Sequence, residues 1–224
     1  MCDRFSFSLP KQKIIRRFGV KVPDLSGPHY NISPGNWVAV IADRQPKQLA
    51  WAVWGLDRLG KPAKHRMAVK PEAQKPSAQT IDALARRCLI LADGWYVWKK
   101  LSHRSRVPHR ATLKWNIPFA MAGVWRESAD GSRMECAVLT VKANPLFAGM
   151  TASMPAILSL EDEKTWLDTQ ATPDELLPCL RPYAADKMRV FPVSVQINEL
   201  EADTPELIVP ALPADQFGNY VLFE

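Results

Sequence analysis

The sequence lacks several features that would assign it to a protein class at once. No apolar run approaches the roughly 18–20 residues of a membrane span, and the N-terminus has no apolar core of a signal peptide. The four cysteines form no C-x-x-C pair and no Cys/His cluster with zinc spacing. Internal repeats and heptads are also missing. We therefore expect a cytoplasmic protein with no membrane association, no metal and no cofactor.

What the chain does have is an ordinary globular composition. It contains 224 residues, of which 47% are hydrophobic and 23% charged, enough to bury a substantial core. Cys88, Cys136 and Cys179 stand among apolar residues, which predicts buried structural thiols. We expect a single domain over residues 1–224 and a monomer.

Positive charge is concentrated in the first half of the chain. Residues 1–114 hold 22 Lys and Arg against 7 Asp and Glu, a net charge of +15, whereas residues 115–224 hold 7 against 16, a net charge of −9. A basic half of this kind favours a polyanionic partner, and nucleic acid is the most common one in the cytoplasm. A solvated basic surface without a specific partner is the alternative.

Local patterns predict mostly strands with short helices between them. The predicted strands are residues 37–41, 49–54, 88–91, 95–98, 119–125, 135–141 and 189–197. The predicted helices are residues 11–18, 80–87, 161–167 and 173–180, the last with Thr172 as N-cap. Residues 92–94 predict a tight turn between two paired strands, residues 60–77 a long cationic loop, and residues 99–114 an exposed basic segment. The fold class is therefore α+β, with a mainly antiparallel, barrel-like β core and short peripheral helices.

Cys2 is the most reactive group that the sequence suggests. If Met1 is removed, Cys2 carries a free α-amine of pKa about 7.7–8.0 beside a thiol of pKa about 8.5. Such an aminothiol captures an aldehyde as a Schiff base and then closes a thiazolidine ring. The alternative is that Cys2 is an unremarkable residue at a frayed terminus.

Several segments together resemble one known family. They are MCDRF at 1–5, YNISP at 30–34, WGL at 54–56, RCLILADGWY at 87–96, AGVW at 122–125 and MPAIL at 154–158. In the same order they resemble MCGRF, YNIAP, WGL, RCLIPADGFY, AGLW and MPVIL of the SOS-response-associated peptidase family, the abasic-site-processing proteins. The likeness covers nearly the whole chain, and the ordered set is specific although each motif is weak.

The resemblance implies a single α+β domain whose positively charged groove binds single-stranded DNA containing abasic sites. It implies that mature Cys2 captures the aldehyde of an abasic site as a thiazolidine, and that Met1 is removed by the protein itself, a peptidase and hydrolase activity. The DNA-binding residues that it suggests, together with neighbouring basic residues, are Arg4, Asn31, Pro34, Trp54, Arg66, Arg86 and Arg87. For the arginines the alternative is an ion pair or a solvated surface position, for Asn31 and Pro34 it is a plain turn, and for Trp54 it is core packing.

The sequence departs from the family at the positions of three catalytic groups. The family asparagine is Lys64 here, the family glutamate is Val97, and the family histidine is Thr151. Residue 3, a glycine in the family, is Asp3. Proton transfer by positioned groups contributes about 10²–10⁴-fold to such reactions, so we expect slower chemistry. Lys64 or His65 could assist. The alternatives are a degenerate DNA-binding module without the covalent chemistry and a self-processing cysteine peptidase with another role.

Overall fold

The computed structural model describes residues 3–23, 27–56, 68–69 and 85–221. Strands dominate this part of the chain. They are β1 (Phe5–Phe7), β2 (His29–Ile32), β3 (Trp37–Ala42), β4 (Ala50–Trp54), β5 (Ala68–Val69), β6 (Arg87–Ala92), β7 (Gly94–Lys100), β8 (Arg106–Leu113), β9 (Phe119–Glu127), β10 (Met134–Lys142), β11 (Ser153–Pro155) and β12 (Met188–Pro192). The helices are α1 (Lys11–Phe18), α2 (Leu160–Leu167) and α3 (Pro173–Leu176).

Five strands close into a barrel in the order β10-β4-β3-β6-β9, because β9 also pairs with β10. All of these pairings are antiparallel except that of β4 with β10, which is parallel. β5 and β11 pair with β10 along the rest of its length. The predicted α+β class with a barrel-like core is confirmed.

A second, five-stranded sheet stands beside the barrel in the order β12-β8-β7-β1-β2, with every neighbour antiparallel. Its two faces bury different clusters. One face contributes Phe5, Trp95 and Val97 to the main core that it shares with the barrel. The opposite face contributes Tyr96 to a small cluster with Ile197. Alternation of side chains along a strand explains this separation.

α1 and α3 begin at the predicted residues, and α2 begins one residue earlier than predicted, at Leu160. α2 has Ser159 as N-cap, and the Asp162 side chain returns a hydrogen bond in a capping box. α3 has the same arrangement with Thr172 and Glu175, but it passes into a 3₁₀ turn after Leu176, so the predicted helix to residue 180 is shorter than expected. The longest helix in the described ranges has eight residues, and none there is long and apolar enough to cross a membrane.

The predicted hairpin around residues 92–94 is wrong. β6 pairs with β3 and β9 in the barrel, whereas β7 pairs with β1 and β8 in the second sheet. Asp93 fixes this crossing, because its carboxylate accepts hydrogen bonds from the Ser6 hydroxyl at 2.5 Å and from Arg110 at 3.0 Å. Glycine is required at position 94, because a Cβ atom there would lie only 2.5 Å from the Arg110 guanidinium that bonds to Asp93.

The prediction that residues 99–114 are exposed is wrong for most of β8. This strand lies between β7 and β12, and only its first residue is exposed. Arg110 is buried because it forms an ion pair with the equally buried Asp93. The predicted strand at 189–197 is also shorter, since β12 ends at Pro192 and a 3₁₀ turn follows at Val195–Asn198. Of the predicted loop at 60–77 only Ala68–Val69 are described, and they form the short strand β5 paired with β10. Of the predicted helix at 80–87 only residues 85–87 are described, and Arg87 is the first residue of β6 rather than helical.

Candidate functional site

Arg4 and Asn31 join the N-terminal strand to the C-terminal segment at one end of the second sheet. The Arg4 guanidinium donates to Asn31 Oδ1 at 2.9 Å and to the carbonyl of Ile197. The Asn31 amide donates to the carbonyls of Glu199 at 2.9 Å and Ala202 at 2.8 Å. Arg4 is half-buried, and burial lowers the pKa of its guanidinium from the usual value. These bonds hold a partly accessible cation two residues after Cys2.

Tyr96 stabilises this end of the second sheet with two hydrogen bonds. Its backbone N–H donates to the Arg4 carbonyl at 2.9 Å, and its hydroxyl donates to the Tyr30 carbonyl at 2.6 Å. Burial raises the pKa of the Tyr96 hydroxyl well above its usual value. The side chain therefore stays neutral and serves as a structural hydrogen-bond donor.

Val97 and Thr151, which stand where the family carries a glutamate and a histidine, have little chemistry to offer. Val97 is buried, with 4% of its surface exposed, and packs in the main core. The Thr151 hydroxyl donates to the Ser153 carbonyl at 3.0 Å within its own turn. Neither side chain is a proton-transfer group.

The two positions nevertheless belong to one region of the molecule. Phe147 packs against Trp95, two residues before Val97, with ring centroids 5.0 Å apart. The Thr151 backbone N–H donates to the Phe147 carbonyl at 3.0 Å. The turn that carries Thr151 is therefore fixed against β7.

A cationic pocket of about 590 Å³ flanks this region. Trp98 and Met150, the sequence neighbours of Val97 and Thr151, both line it. The β7–β8 hairpin contributes the positively charged residues Lys100, Arg104 and Arg106. The C-terminal segment of residues 215–221, called the tail below, contributes the exposed aromatic ring of Phe217. No carboxylate of the described part of the chain lines the pocket.

Three of the predicted DNA-binding residues lie elsewhere. Trp54 has no exposed surface and packs against Phe5 with ring centroids 4.9 Å apart. Arg87 is 4% exposed, and its guanidinium donates to the carbonyls of Trp166 and Asp168 at 2.8 and 2.6 Å. Arg86 lies over the Trp125 ring on the barrel. Trp54 is a core residue. Because Trp54 and Arg87 are both buried, neither side chain is accessible to a nucleic acid.

Pro34 lies partly exposed in the turn after β2, three residues before Trp37, which is 52% exposed. Trp37 thus has the accessibility that Trp54 lacks. Cys2, Lys64, His65 and Arg66 lie outside the described residues, so their predicted roles stay predictions.

Comparison with known proteins decides the family. A family model described as SOS response associated peptidase (SRAP) matches residues 1–200. The chain belongs to the SOS response associated peptidase family. Abasic site processing protein YoqW of Bacillus subtilis strain 168 is 32% identical to it, over 93% of this chain and 99% of that protein. Abasic site processing protein HMCES of the rat is 25% identical, over 94% of this chain and 76% of that protein.

Solved structures show that the fold is shared as well. A protein from Bacteroides thetaiotaomicron superimposes with a TM-score of 0.82 at 20% identity, covering 94% of this chain and all of the other. A phage-related protein from Bordetella bronchiseptica gives a TM-score of 0.71 at 22% identity, over 86% of this chain and 94% of that one. At these identities the likeness concerns the fold alone.

The tail side of the cationic pocket lies beyond the SOS response associated peptidase match, which ends at residue 200. Gln216 accepts from the Arg106 backbone N–H at 2.8 Å and donates to the Arg104 carbonyl. Sequence reasoning missed Phe217 and Gln216 because no local motif marks a tail residue that docks on a hairpin more than 100 positions earlier. For the hairpin side of the pocket the sequence did offer a signal, the cluster of Lys and Arg residues at 99–106.

Proposed function

We propose that this protein processes abasic sites in DNA: that it binds single-stranded DNA and captures the lesion's aldehyde through Cys2 once Met1 has been removed. The observation that carries the proposal is the similarity along nearly the whole chain to proteins named for abasic site processing, at 32% identity for one that is matched over 99% of its length. Cytoplasmic location and a monomeric state belong to the same proposal.

Two features of the described residues support a polyanionic partner. Arg4 is held half-buried by Asn31 at the end of the second sheet, where a phosphate could approach its remaining donors. The cationic pocket beside Trp98 combines positive charge with an exposed aromatic ring. Basic grooves with aromatic side chains are typical of proteins that bind single strands.

The covalent step follows from the aminothiol. The Cys2 amine would attack the aldehyde of the ring-opened sugar and lose water as an imine forms. The thiol would then add to the imine carbon and close a five-membered thiazolidine. This product resists heat, whereas an imine alone is reversible.

A denaturing gel after incubation with a single strand that carries one abasic site tests the proposal. Wild-type protein, shown by intact mass to lack Met1, should give a shifted band that survives heating. Cys2→Ser without Met1 keeps the amine and should give only a band that requires borohydride. Protein that retains Met1 should give neither band, because its Cys2 nitrogen is an amide.

A second candidate function is a non-covalent DNA-binding module of the same fold. The observation that favours it is the absence of proton-transfer groups at Val97 and Thr151. Wild-type protein that binds the same strand in a native gel but gives no heat-stable band would establish this module and end the covalent proposal.

A further inference from the structure

We propose that Asp3 supplies the proton-transfer carboxyl group for the capture of an aldehyde by Cys2. The inference rests on the proposed function and names a catalytic residue for it. It also accounts for how a chain with Val97 and Thr151 in its site could still carry out the chemistry.

Extending the register of β1 with β7 by two residues brings Asp3 opposite Val97. Phe5 pairs with Trp95 and Ser6 with Gly94 in the antiparallel contact of β1 with β7. The Tyr96 backbone N–H donates to the Arg4 carbonyl at 2.9 Å, which continues the same register by one residue. The next pair in that series is Asp3 with Val97.

The same extension of the strand puts both side chains on one face of the sheet. Phe5, Trp95 and Val97 all face the main core. Tyr96 faces the other cluster, and Arg4 reaches toward Ile197 on that side. Since side chains alternate along a strand, Asp3 shares its face with Phe5 and therefore with Val97. Directly opposed residues have Cβ atoms about 4.5–5.5 Å apart, so Asp3 brings a carboxyl group back to the position where Val97 has none.

The environment of the Asp3 carboxyl group is unusual for a surface residue next to a terminus. Its Oδ1 atom is buried and has no hydrogen-bond partner in the described part of the chain. Arg4, the adjacent cation, directs its guanidinium to Asn31 and Ile197 and forms no ion pair with it. A buried carboxyl oxygen without a partner is costly, and such groups are concentrated at functional sites.

Burial also raises the pKa of Asp3 from its usual value, against the opposing effects of the amino-terminal charge and of Arg4. A carboxyl group of raised pKa keeps its proton closer to neutral pH, which suits a general acid. The shift thus agrees in direction with the role inferred from the position of the side chain.

The proposed step leaves the protonation state of Asp3 unchanged, because its carboxyl group donates one proton and later accepts one. The Cys2 amine first adds to the aldehyde and forms a carbinolamine. Protonated Asp3 donates its proton to the carbinolamine hydroxyl, which leaves as water while the C=N bond of an iminium forms. The Asp3 carboxylate then accepts the proton of the Cys2 thiol as sulfur bonds to the iminium carbon. The products are the thiazolidine and water, and Asp3 is protonated again.

The rate of heat-stable cross-linking to a single strand with one abasic site tests the proposal. Asp3→Gly, which introduces the residue typical of the family, should slow the reaction about 10²-fold, the lower end of what positioned acid–base groups contribute. Asp3→Glu should retain most of the rate. Asp186→Asn removes a carboxylate from an exposed 3₁₀ turn and is the matched control, with no change expected.

Two rescue measurements separate a catalytic role from a structural one. Val97→Glu added to Asp3→Gly should restore the rate, because it returns a carboxyl group from the opposing strand. Formate added to Asp3→Gly should accelerate it in proportion to concentration, a readout that does not require a further folded variant. Intact mass must show that Met1 is removed equally from every protein compared.

The outcomes are distinct. Asp3→Gly that binds the strand and cross-links at the wild-type rate overturns the proposal, as does a slow Asp3→Gly that neither formate nor Val97→Glu restores. Wild-type protein that binds but never cross-links shows instead that the covalent function itself is absent, and the role of Asp3 falls with it. A slow variant restored by either carboxyl source supports the proposal.

Discussion

At the scale of single residues, charge and burial decide more than residue type does. Arg4, Arg87 and Arg110 are all arginines, and the first two stand in family motifs, but only Arg4 is more than slightly exposed. Arg87 satisfies backbone carbonyls and Arg110 neutralises Asp93 inside the sheet. A motif shows that an arginine is present, but only the neighbours in space show whether it binds a ligand or the protein itself.

The first residue-scale prediction concerns the Arg110–Asp93 ion pair, whose side chains are 6% and 9% exposed. Arg110→Ala should destabilise the protein by about 3–5 kcal/mol, because it leaves Asp93 as a buried charge without its partner. Denaturant unfolding of the purified variant measures this change. The matched control is Arg181→Ala in the Arg181–Asp162 pair, where the arginine is 56% exposed and the expected loss of stability is at most about 1 kcal/mol. Equal destabilisation in the two variants would contradict the prediction.

The second concerns the thiols. Cys88, Cys136 and Cys179 are free and buried, as predicted from their apolar neighbours. Burial raises the pKa of the Cys179 thiol to about 11 and raises those of Cys88 and Cys136 as well. Because the thiolate is the reactive form, native protein treated with iodoacetamide at pH 8 should gain one label, at Cys2.

Mass spectrometry with peptide mapping counts and locates these labels. The same protein in denaturant should gain four labels, since the protection comes from burial in the fold. Rapid labelling of Cys88 or Cys136 in the native protein would show that the core around them is open.

At the scale of elements, the β7–β8 hairpin and the docked tail form a surface that neither makes alone. Gln216 binds the backbone of the hairpin, and Ser105 donates to Asp215 at 3.1 Å. The cationic pocket results from this docking, so its residues should act on a bound strand together.

The prediction at this scale is that the pocket binds phosphates. Lys100→Ala with Arg106→Ala should weaken binding of a single strand and reduce the slope of log K against log salt by about 1.4, or 0.7 for each phosphate that is no longer neutralised. Lys114→Ala with Lys187→Ala is the matched control: it also removes two exposed charges, but away from the pocket. Titration of a labelled oligonucleotide at several salt concentrations measures both slopes, and identical slopes for the two double variants would exclude the pocket from the interface.

At the scale of the whole molecule, the asymmetry of charge along the chain predicts its behaviour toward nucleic acid. The N-terminal residues 1–114 carry a net charge of +15 within a chain of net charge +6. We expect Cys2→Ala protein, which cannot form the thiazolidine, to bind single strands more tightly than duplex and to lose affinity steeply as salt rises. Competition between labelled single strand and unlabelled duplex measures the preference, and binding that does not change with salt would contradict it.

The sequence by itself determined the family, the α+β class and most individual elements. The 11–18 helix, the strands beginning at Trp37 and Phe119, and the capping boxes at Ser159 and Thr172 all follow local rules of periodicity and hydrogen bonding. The ordered motifs identified the family for the same reason, since each is a short run of neighbouring residues. These features depend on nothing beyond a few positions in either direction.

Only the tertiary structure decided which strands pair and which polar side chains are exposed. The turn at Asp93 and Gly94 has the local chemistry of a hairpin, but hydrogen bonds from Ser6 and Arg110 make it a crossing between two sheets. Trp54 is buried while Trp37 is exposed, and Phe5 pairs with Trp95 although the two residues are far apart in the sequence. The physical reason is that burial and strand register are set by contacts between distant segments, which no local pattern encodes.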